Sequence, residues 1–357
     1  MKILHLVHGR SATGPAAAAL SDVRALAAAG HRAWLAGRAG TRLEDDARAA
    51  GADYLGGFAL GRGAARILRL PADARRLRAL AGEHGIEVVH VHRTDDQFLA
   101  RFALKKELGA RIVRTWHRDP AEVPAPLRGK LLERCAAFCC VARAHAEALR
   151  GFGAPRAAYL PPGVDTSLFR PRAERGAGPP RLGLLGRWKR GEDRGQRAFL
   201  EVLARLDARL EWRGVLLGRG EDRPALEALR ARHPFKDGIE LEETGADFPA
   251  QVARLDLGLV FATGSDGTSR AAVELLACGV PLLLAGKPGL KELGEDEACA
   301  SVLPPEDLDA WAAAVTLELR APARRAERAR AARERALAVH ALARRGEALV
   351  RLYEAED

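Results

Sequence analysis

The stretch Leu255–Gly286, "LDLGLVFATGSDGTSRAAVELLACGVPLLLAG", decides how this chain folds. Its ends, "LDLGLVFA" (Leu255–Ala262) and "GVPLLLAG" (Gly279–Gly286), are short apolar runs punctuated by glycine, the pattern of strands covered on both faces of a parallel sheet. Between them "SRAAVELLA" (Ser269–Ala277) has helical spacing, and Gly279 is placed to end that helix in a left-handed C-cap. The unit reads strand, loop, helix, strand. Its loop, Gly264-Ser265-Asp266-Gly267-Thr268-Ser269, is polar, carries an acid and feeds a helix N-terminus. Open α/β sheets bind ligands at strand carboxyl ends, and helix N-termini offer N–H groups to an anion.

The same grammar extends in both directions. Downstream of "RLGLLGR" the second half alternates strands ("EWRGVLLGRG", "IELEE") with helices ("DRGQRAFLEVLARL", "DRPALEALRARH", "ADFPAQVARL"). The first half does likewise, with strands at "KILHLVH", "RAWLAG", "IEVVHVH", "ARIVRTWH" and "AAFCCVA". Repeated βα units imply two doubly wound parallel-sheet domains of α/β class, their strand-end crevices facing across a cleft. The expected division is residues 1–170, a Pro- and Gly-rich linker at 171–180, a second domain at 181–322, and a helical segment at 323–357 packing outside, with the first domain as the surface it would return to.

Two domains suit 357 residues, and 48% apolar with 29% charged residues is ordinary for a globular chain. No window approaches a membrane span and no signal peptide is visible, so a cytoplasmic setting is expected. Cys135, Cys139, Cys140, Cys278 and Cys299 lie in apolar surroundings without a C-x-x-C pair, which reads as buried thiols in a reducing compartment. The net charge of +10 is uneven: residues 1–170 hold 27 Lys+Arg against 16 Asp+Glu, or +11, and residues 171–357 hold 30 against 31, or −1. Either an Arg-rich composition or an anionic surface docked by one domain explains this. Aromatics are 5% with no basic-aromatic interleaving, which argues against nucleic acid as partner.

Glu274 stands in the apolar "AAVELLAC", where an acid needs a partner: a ligand hydroxyl or a neighbouring arginine. Arg270 opposes the macrodipole in the first turn of its helix; Asp266, a bound anion or water are its candidate partners. His90 and His92 are two apart on one strand and point the same way; with His117 they imitate a zinc triad, but no H-E-x-x-H helix or carboxylate cluster accompanies them.

Segment Asp266–Pro281, "DGTSRAAVELLACGVP", resembles the E-G-F-G-x-x-x-x-E-A-M-A-x-G-x-P signature of the retaining glycosyltransferases of family 4. Further matches follow in the family's order: "MKILHLV…TGPAAAALSDVRALAAAGHRAWL", "VVHVH", "RIVRTWH", "LPPGVDTSLFRP", "LLGRWKRGEDRG", "VLLGRGED" and "GLKEL". Any one is weak; eight in order are strong. The resemblance implies the two-domain GT-B architecture and a nucleotide-sugar donor held by the second domain. On that basis Arg187, and Arg194 in place of the usual Lys, pair with the diphosphate. Glu274 takes the ribose hydroxyls, and Asp266 with the Gly267 loop takes the sugar. Gly186, Gly218, Thr268, Ser269 and Arg270 complete the donor side.

In the first domain the resemblance implies that Gly14 lies in the loop meeting donor and acceptor, that His117 approaches the transferred sugar, and that His92 faces the acceptor. Two departures stand out. Asp266 replaces the family's Glu, and Arg194 lies two residues further from Arg187 than usual. Both keep the charge and leave the sugar open. No metal and no other cofactor is expected, since the arginines supply the charge. The implied reaction is retaining sugar transfer to a hydroxyl of a glycan or lipid-linked acceptor in cell-envelope or lipopolysaccharide-type synthesis, with an anionic membrane surface as a further partner. A non-catalytic nucleotide-sugar or glycan-binding scaffold of this fold remains the alternative. So does a nucleotide-sugar epimerase, which the acid-x7-acid spacing disfavours.

Overall fold

A computed structural model of the chain describes residues 1–59, 65–104, 109–173, 178–262, 267 and 269–354, without the side chains of residues 65–67. It divides into two compact units: Met1–Gly163 with Ser265–Thr268 and Leu342–Asp357, and Val164–Gly264 with Ser269–Ala341. The first crossing falls at Gly163, before the Pro/Gly run read as the linker.

The first unit runs β1 (Lys2–Leu6), α1 (Pro15–Ala28), β2 (Arg32–Arg38), α2 (Arg42–Ala49), β3 (Asp53–Phe58), α3 (Ala65–His84), β4 (Val88–Val91), α4 (Thr94–Ala103), β5 (Arg111–Trp116), α5 (Ala125–Leu132), β6 (Ala137–Cys140), α6 (Arg143–Gly151) and β7 (Ala157–Tyr159). Its seven strands lie in the order β3-β2-β1-β4-β5-β6-β7, and each recorded pairing is parallel. The central strands are buried on both faces; every residue of β4 and β6 is buried. That is why "VVHV" and "AFCC" read as continuous apolar runs rather than alternating ones.

The second unit contains β8 (Arg181–Leu185), α7 (Gln196–Ala204), β9 (Arg213–Gly218), α8 (Arg223–Ala231), β10 (Ile239–Glu243), α9 (Phe248–Ala253), β11 (Leu257–Val260), α10 (Arg270–Ala277), β12 (Leu282–Ala285), β13 (Ala300–Leu303), α11 (Leu308–Arg320) and α12 (Pro322–Arg335). Its parallel order is β10-β9-β8-β11-β12-β13. The strand, loop, helix, strand unit read from Leu255–Gly286 is β11, α10 and β12. Gly279 closes α10 at φ 69°, its N–H donating to the Leu276 carbonyl at 2.9 Å while the Val280 N–H donates to the Leu275 carbonyl at 3.0 Å. This is the paired-bond C-cap that a left-handed glycine permits.

The C-terminal segment is divided between the units: α12 stays with the second, and the chain then returns to the first. After a π-helical turn at Ala336–His340, α13 (Leu342–Glu354) belongs to the first unit and lies along α1. The approach is close: a Cβ on Gly346 would stand 2.1 Å from the Ala25 carbonyl oxygen. Arg345 on α13 forms a buried two-pronged pair with Asp22 on α1, at 2.8 and 3.1 Å, and also donates to the carbonyls of Leu160 and Pro161. All five cysteines are buried and free of disulfides; burial pushes the Cys135 and Cys278 thiols up to about 12. No helix among the described residues is long and apolar enough to cross a membrane.

Candidate active site

In the second sheet the strand order reverses between β8 and β11, the switch point where α/β sheets open a crevice at their carboxyl edge. From β8 the chain leaves through Gly186 and Arg187. This turn is pressed against the end of β9: the Gly186 N–H donates to the Leu217 carbonyl at 3.1 Å and the Trp188 N–H to the Arg219 carbonyl at 3.0 Å. Only glycine allows it. A Cβ on Gly218 would lie 1.9 Å from the Gly186 oxygen, and one on Gly220, at φ 152°, would lie 2.0 Å from the Trp188 oxygen. The glycines of "GRG" are thus demanded by a backbone crossing.

The two additional residues between Arg187 and Arg194 are taken up in a turn at Lys189–Glu192, where the Glu192 N–H donates to the Lys189 carbonyl at 3.0 Å. Asp193 then caps α7, its Oδ1 accepting from the N–H groups of Gly195 and Gln196 at 2.9 and 2.8 Å. The buried Gln196 side chain closes the arrangement: Nε2 donates to the Arg187 carbonyl at 3.1 Å and Oε1 accepts from the Arg194 N–H at 2.6 Å. One amide therefore ties the main chain of both candidate diphosphate ligands together, so the longer spacing still delivers them side by side in the backbone. Arg187 is exposed, and Arg194, half-buried, pairs with the exposed Glu192 at 3.0 Å.

On the other side of the switch point α10 begins after Ser269. The Ser269 hydroxyl donates to the Gly289 carbonyl, and the Gly289 N–H donates to the Glu292 carboxylate at 2.8 Å, so "GLKEL" anchors the start of α10. Glu274 is mostly buried and has Arg270 as an ion-pair partner one turn away, Nε to Oε1 3.8 Å. Arg270 thus has a helix-face acid as a partner; Asp266, the loop acid considered from sequence, lies outside the described residues. The pair is long and half-exposed, worth a few tenths of a kcal/mol by the usual behaviour of such pairs. Gly267 has φ 71°; Asp266 and Thr268 lie outside the described residues.

In the first sheet the switch point lies between β1 and β4. The loop after β1 needs two glycines: a Cβ on Gly9 would meet the Ala16 Cβ at 2.8 Å, and Gly14 has φ 55° and ψ −134° immediately before Pro15 opens α1. His92 follows β4 and His117 follows β5. They are joined, His92 Nδ1 to His117 Nε2 3.3 Å, and the grouping extends beyond the three histidines considered from sequence. His5 on β1 stands at its centre: Nδ1 lies 3.0 Å from His92 Nε2, and Nε2 lies 3.4 Å from the Tyr353 hydroxyl on α13. That hydroxyl is 2.6 Å from His90 Nδ1, and His90 Nε2 is 2.8 Å from the Thr115 hydroxyl.

His5, His90 and His92 bring ligand-type nitrogens within 4.8 Å of one another, the one such grouping among the described residues. The geometry nevertheless favours hydrogen bonding over a metal. The His90 and His92 rings are stacked 14° from parallel, so their lone pairs do not converge, and every ring nitrogen of the three already has a partner. Burial lowers all three pKa values: His5 is pushed down to about 4, with Asp22 opposing and Arg345 reinforcing the shift, and His90 and His92 lie well below the ordinary value. Asp96, buried in the first turn of α4, is pushed up to about 8 because burial outweighs the nearby Arg93 charge.

Sequence reasoning missed Gln196, His5, Tyr353 and Asp96. The histidine at an inward position of "KILHL" was the one available signal, since a buried imidazole needs partners. Nothing local marks the others.

Known proteins place these two units. A solved glycosyltransferase from Rickettsia africae ESF-5 matches at TM-score 0.82 with 14% identity, covering 99% of this chain and 97% of that one. Anabaena Alr3699/HepE in complex with UDP matches at TM-score 0.80 with 18% identity, covering 98% of each chain. The lipopolysaccharide outer core galactosyltransferase WaaB in its apo form matches at 0.73 with 13% identity over 99% of both. At such identities the likeness defines the fold, that of the GT-B glycosyltransferases. No curated protein matches. Two family models fit the sequence itself: Glycosyltransferase Family 4 over residues 7–168 and Glycosyl transferases group 1 over residues 179–320. The chain belongs to this family, and it is a glycosyltransferase.

Proposed function

We propose that the protein transfers a hexose or related sugar from a nucleoside-diphosphate donor to a hydroxyl acceptor with retention of configuration, in assembly of a cell-envelope glycan of the lipopolysaccharide type. The observation that carries this reading is the Gln196 bridge, which sets Arg187 and Arg194 together at the carboxyl edge of β8. A departing diphosphate needs neutralisation more than it needs a strong base, and the two guanidinium groups carried by this backbone supply it without a metal or other cofactor. Glu274 takes the ribose hydroxyls. Ser269, Arg270 and the glycine turns at Gly186 and Gly218 frame the diphosphate. Asp266, Gly267 and Thr268 take the sugar. His117 meets the transferred sugar, with Gly14 beside the reacting groups and His92 on the acceptor side. The solved complexes of HepE with UDP and with UDP-glucose support a nucleotide-sugar donor.

The acceptor in this reading is lipid-linked and met at the cytoplasmic face of a membrane. On α3 Leu68 is 85% exposed beside exposed Arg69, Arg75 and Arg76, cations flanking an apolar point; Arg62 and the Arg66 side chain lie outside the described residues. Each cation at an anionic surface adds roughly 1 kcal/mol, enough in sum for reversible docking. Sedimentation with anionic but not neutral liposomes, abolished by high salt, is the expected result. A protein that ignores anionic liposomes at low salt has a soluble acceptor.

Nucleotide release from a panel of nucleoside-diphosphate sugars, with and without a glycan acceptor, tests the reaction, and the anomeric signal of the product by NMR tests retention. Glu274→Ala is expected to fold normally and to lose most nucleotide affinity by calorimetry. Unchanged affinity removes the ribose role.

A further inference from the structure

Three cations at the carboxyl edge of the first sheet stand without an acid. β1, β4 and β5 are neighbours there, and each chain exit carries an arginine: Arg10 in the loop after β1, Arg93 at the N-cap of α4 and Arg118 two residues past β5. Adjacent strands lie about 4.8 Å apart, so the three exits span about 10 Å. Arg10 and Arg118 are exposed; Arg93 is half-buried, its Nε enclosed without a hydrogen-bond partner. Among the described residues of the first unit the ion pairs belong to Arg42, Arg48, Arg101, Arg344 and Arg345, and none includes these three. The acids of this edge are engaged with the main chain instead. Asp46 accepts from the Ala12 N–H at 2.8 Å and Asp119 from the Ala121 N–H at 2.8 Å. Asp96 feels the Arg93 charge, but burial pushes its carboxyl up to about 8, so at neutral pH it is mostly protonated and does not offset Arg93.

We infer that Arg10, Arg93 and Arg118 bind oxyanion groups, phosphate or carboxylate, carried by the acceptor glycan. That the ligand is the acceptor rests on the proposed function; that this edge binds an anion does not. A guanidinium group pairs with phosphate or carboxylate through two parallel N–H donors, and three of them over about 10 Å accommodate at least two oxyanion groups side by side. The strand order reverses between β1 and β4, which opens a crevice at this edge, and a crevice lined by charge of one sign concentrates ligands of the other. A neutral glycan gains nothing from that field. All three arginines belong to the first unit, so the site is complete within it. None lies on α3, which keeps this site and the membrane-docking face separately testable.

Calorimetry at low salt on the full chain carrying Arg187→Ala and Arg194→Ala, which silences the candidate phosphate ligands of the second unit, measures three probes: tripolyphosphate, hexagalacturonate and maltohexaose. At least one anionic probe is expected to bind, tripolyphosphate alone if the edge reads phosphate and hexagalacturonate alone if it reads carboxylate, and maltohexaose is not. Adding Arg10→Gln, Arg93→Gln and Arg118→Gln should weaken that binding at least about tenfold. Should the Arg93 change impair folding, Arg10→Gln with Arg118→Gln alone, both exposed, should still weaken it about fivefold. No binding of either anionic probe, equal binding of maltohexaose, or affinity unchanged in the variants overturns the proposal. With Arg187 and Arg194 intact, the three Gln substitutions should raise the acceptor KM at least about fivefold while kcat stays within about twofold. Probe binding lost in the variants with an unchanged acceptor KM keeps the anion site and refutes its assignment to the acceptor. Probe binding in a wild type that transfers no sugar keeps the site and refutes the functional reading.

Discussion

Lowering the pH from 7.5 to 5 should weaken the first unit through His5 in a way that can be isolated. Its folded pKa of about 4 lies below the ordinary 6.5 because burial disfavours the charged ring. The sign follows from proton counting: between those values the unfolded chain binds a proton that the folded one refuses. The stabilising effect of neutral His5 is complete above about pH 6.5 and is lost as pH falls towards about 4. At pH 5 the unfolded ring is 1.5 units below its pKa, and at 1.36 kcal/mol per unit the loss is about 2 kcal/mol. His90 and His92 act in the same direction. Asp96 acts in the opposite one: with its pKa raised to about 8 it holds a proton that the unfolded chain has released, so acid favours it. Comparing wild type with His5→Gln cancels that opposing contribution. Hydrogen exchange of the β1 and β4 amides, corrected for intrinsic rates, gives the opening free energy of this unit at each pH. The drop between pH 7.5 and pH 5 should be smaller in His5→Gln by about 2 kcal/mol. An identical drop in both proteins refutes the claim that His5 is buried in its neutral form.

Other substitutions follow from the same contacts. Arg345→Ala or Asp22→Ala strands a buried charge and should cost the first unit roughly 3–5 kcal/mol by the same exchange measurement, with Asp22→Leu/Arg345→Met recovering much of it. Gln196→Ala leaves the Arg187 carbonyl and the Arg194 N–H without their bridge and should weaken nucleoside-diphosphate binding about 5- to 20-fold in calorimetry, the size of one or two hydrogen bonds. In Gly218→Ala a Cβ 1.9 Å from the Gly186 oxygen must displace the Arg187 turn, so nucleotide binding should be lost while the first unit's exchange pattern is unchanged.

Much of this architecture is legible in the sequence because local chemistry encodes it. Apolar runs between glycines gave the central strands, and Gly279 marked the end of α10. The strands that escaped are those whose pattern is broken or short. In β3, "DYLGGF", Gly56 and Gly57 interrupt the alternation, Gly57 has φ 94°, and the pairing register with β2 shifts between Ala36 and Arg38. β7 is three residues long, too brief for any period to show, and β13 is buried at one residue of four, so it lacks the continuous apolar run of β4 and β6. At the candidate site, motif spacing singles out Arg187, Arg194 and Glu274 as proposed ligands. Gln196 was not, because a glutamine opening a helix looks like any exposed one until the turn before it folds back. The histidine chain was half visible: His90, His92 and His117 share neighbouring strands, but His5 and Tyr353 join them only through sheet pairing and the return of α13. No local pattern records such separations.

Steady-state sugar transfer by wild type, Arg187→Ala and Arg194→Ala, each over a range of acceptor concentrations up to saturation, tests the central claim most directly. If these two arginines neutralise the diphosphate as it departs, each substitution should lower kcat by about 10²-fold or more, with a smaller change in the KM for acceptor, because the lost interaction is strongest in the transition state. A kcat unchanged in both variants, or a wild type that releases no nucleotide from any nucleoside-diphosphate sugar in the presence of acceptor, would contradict the account.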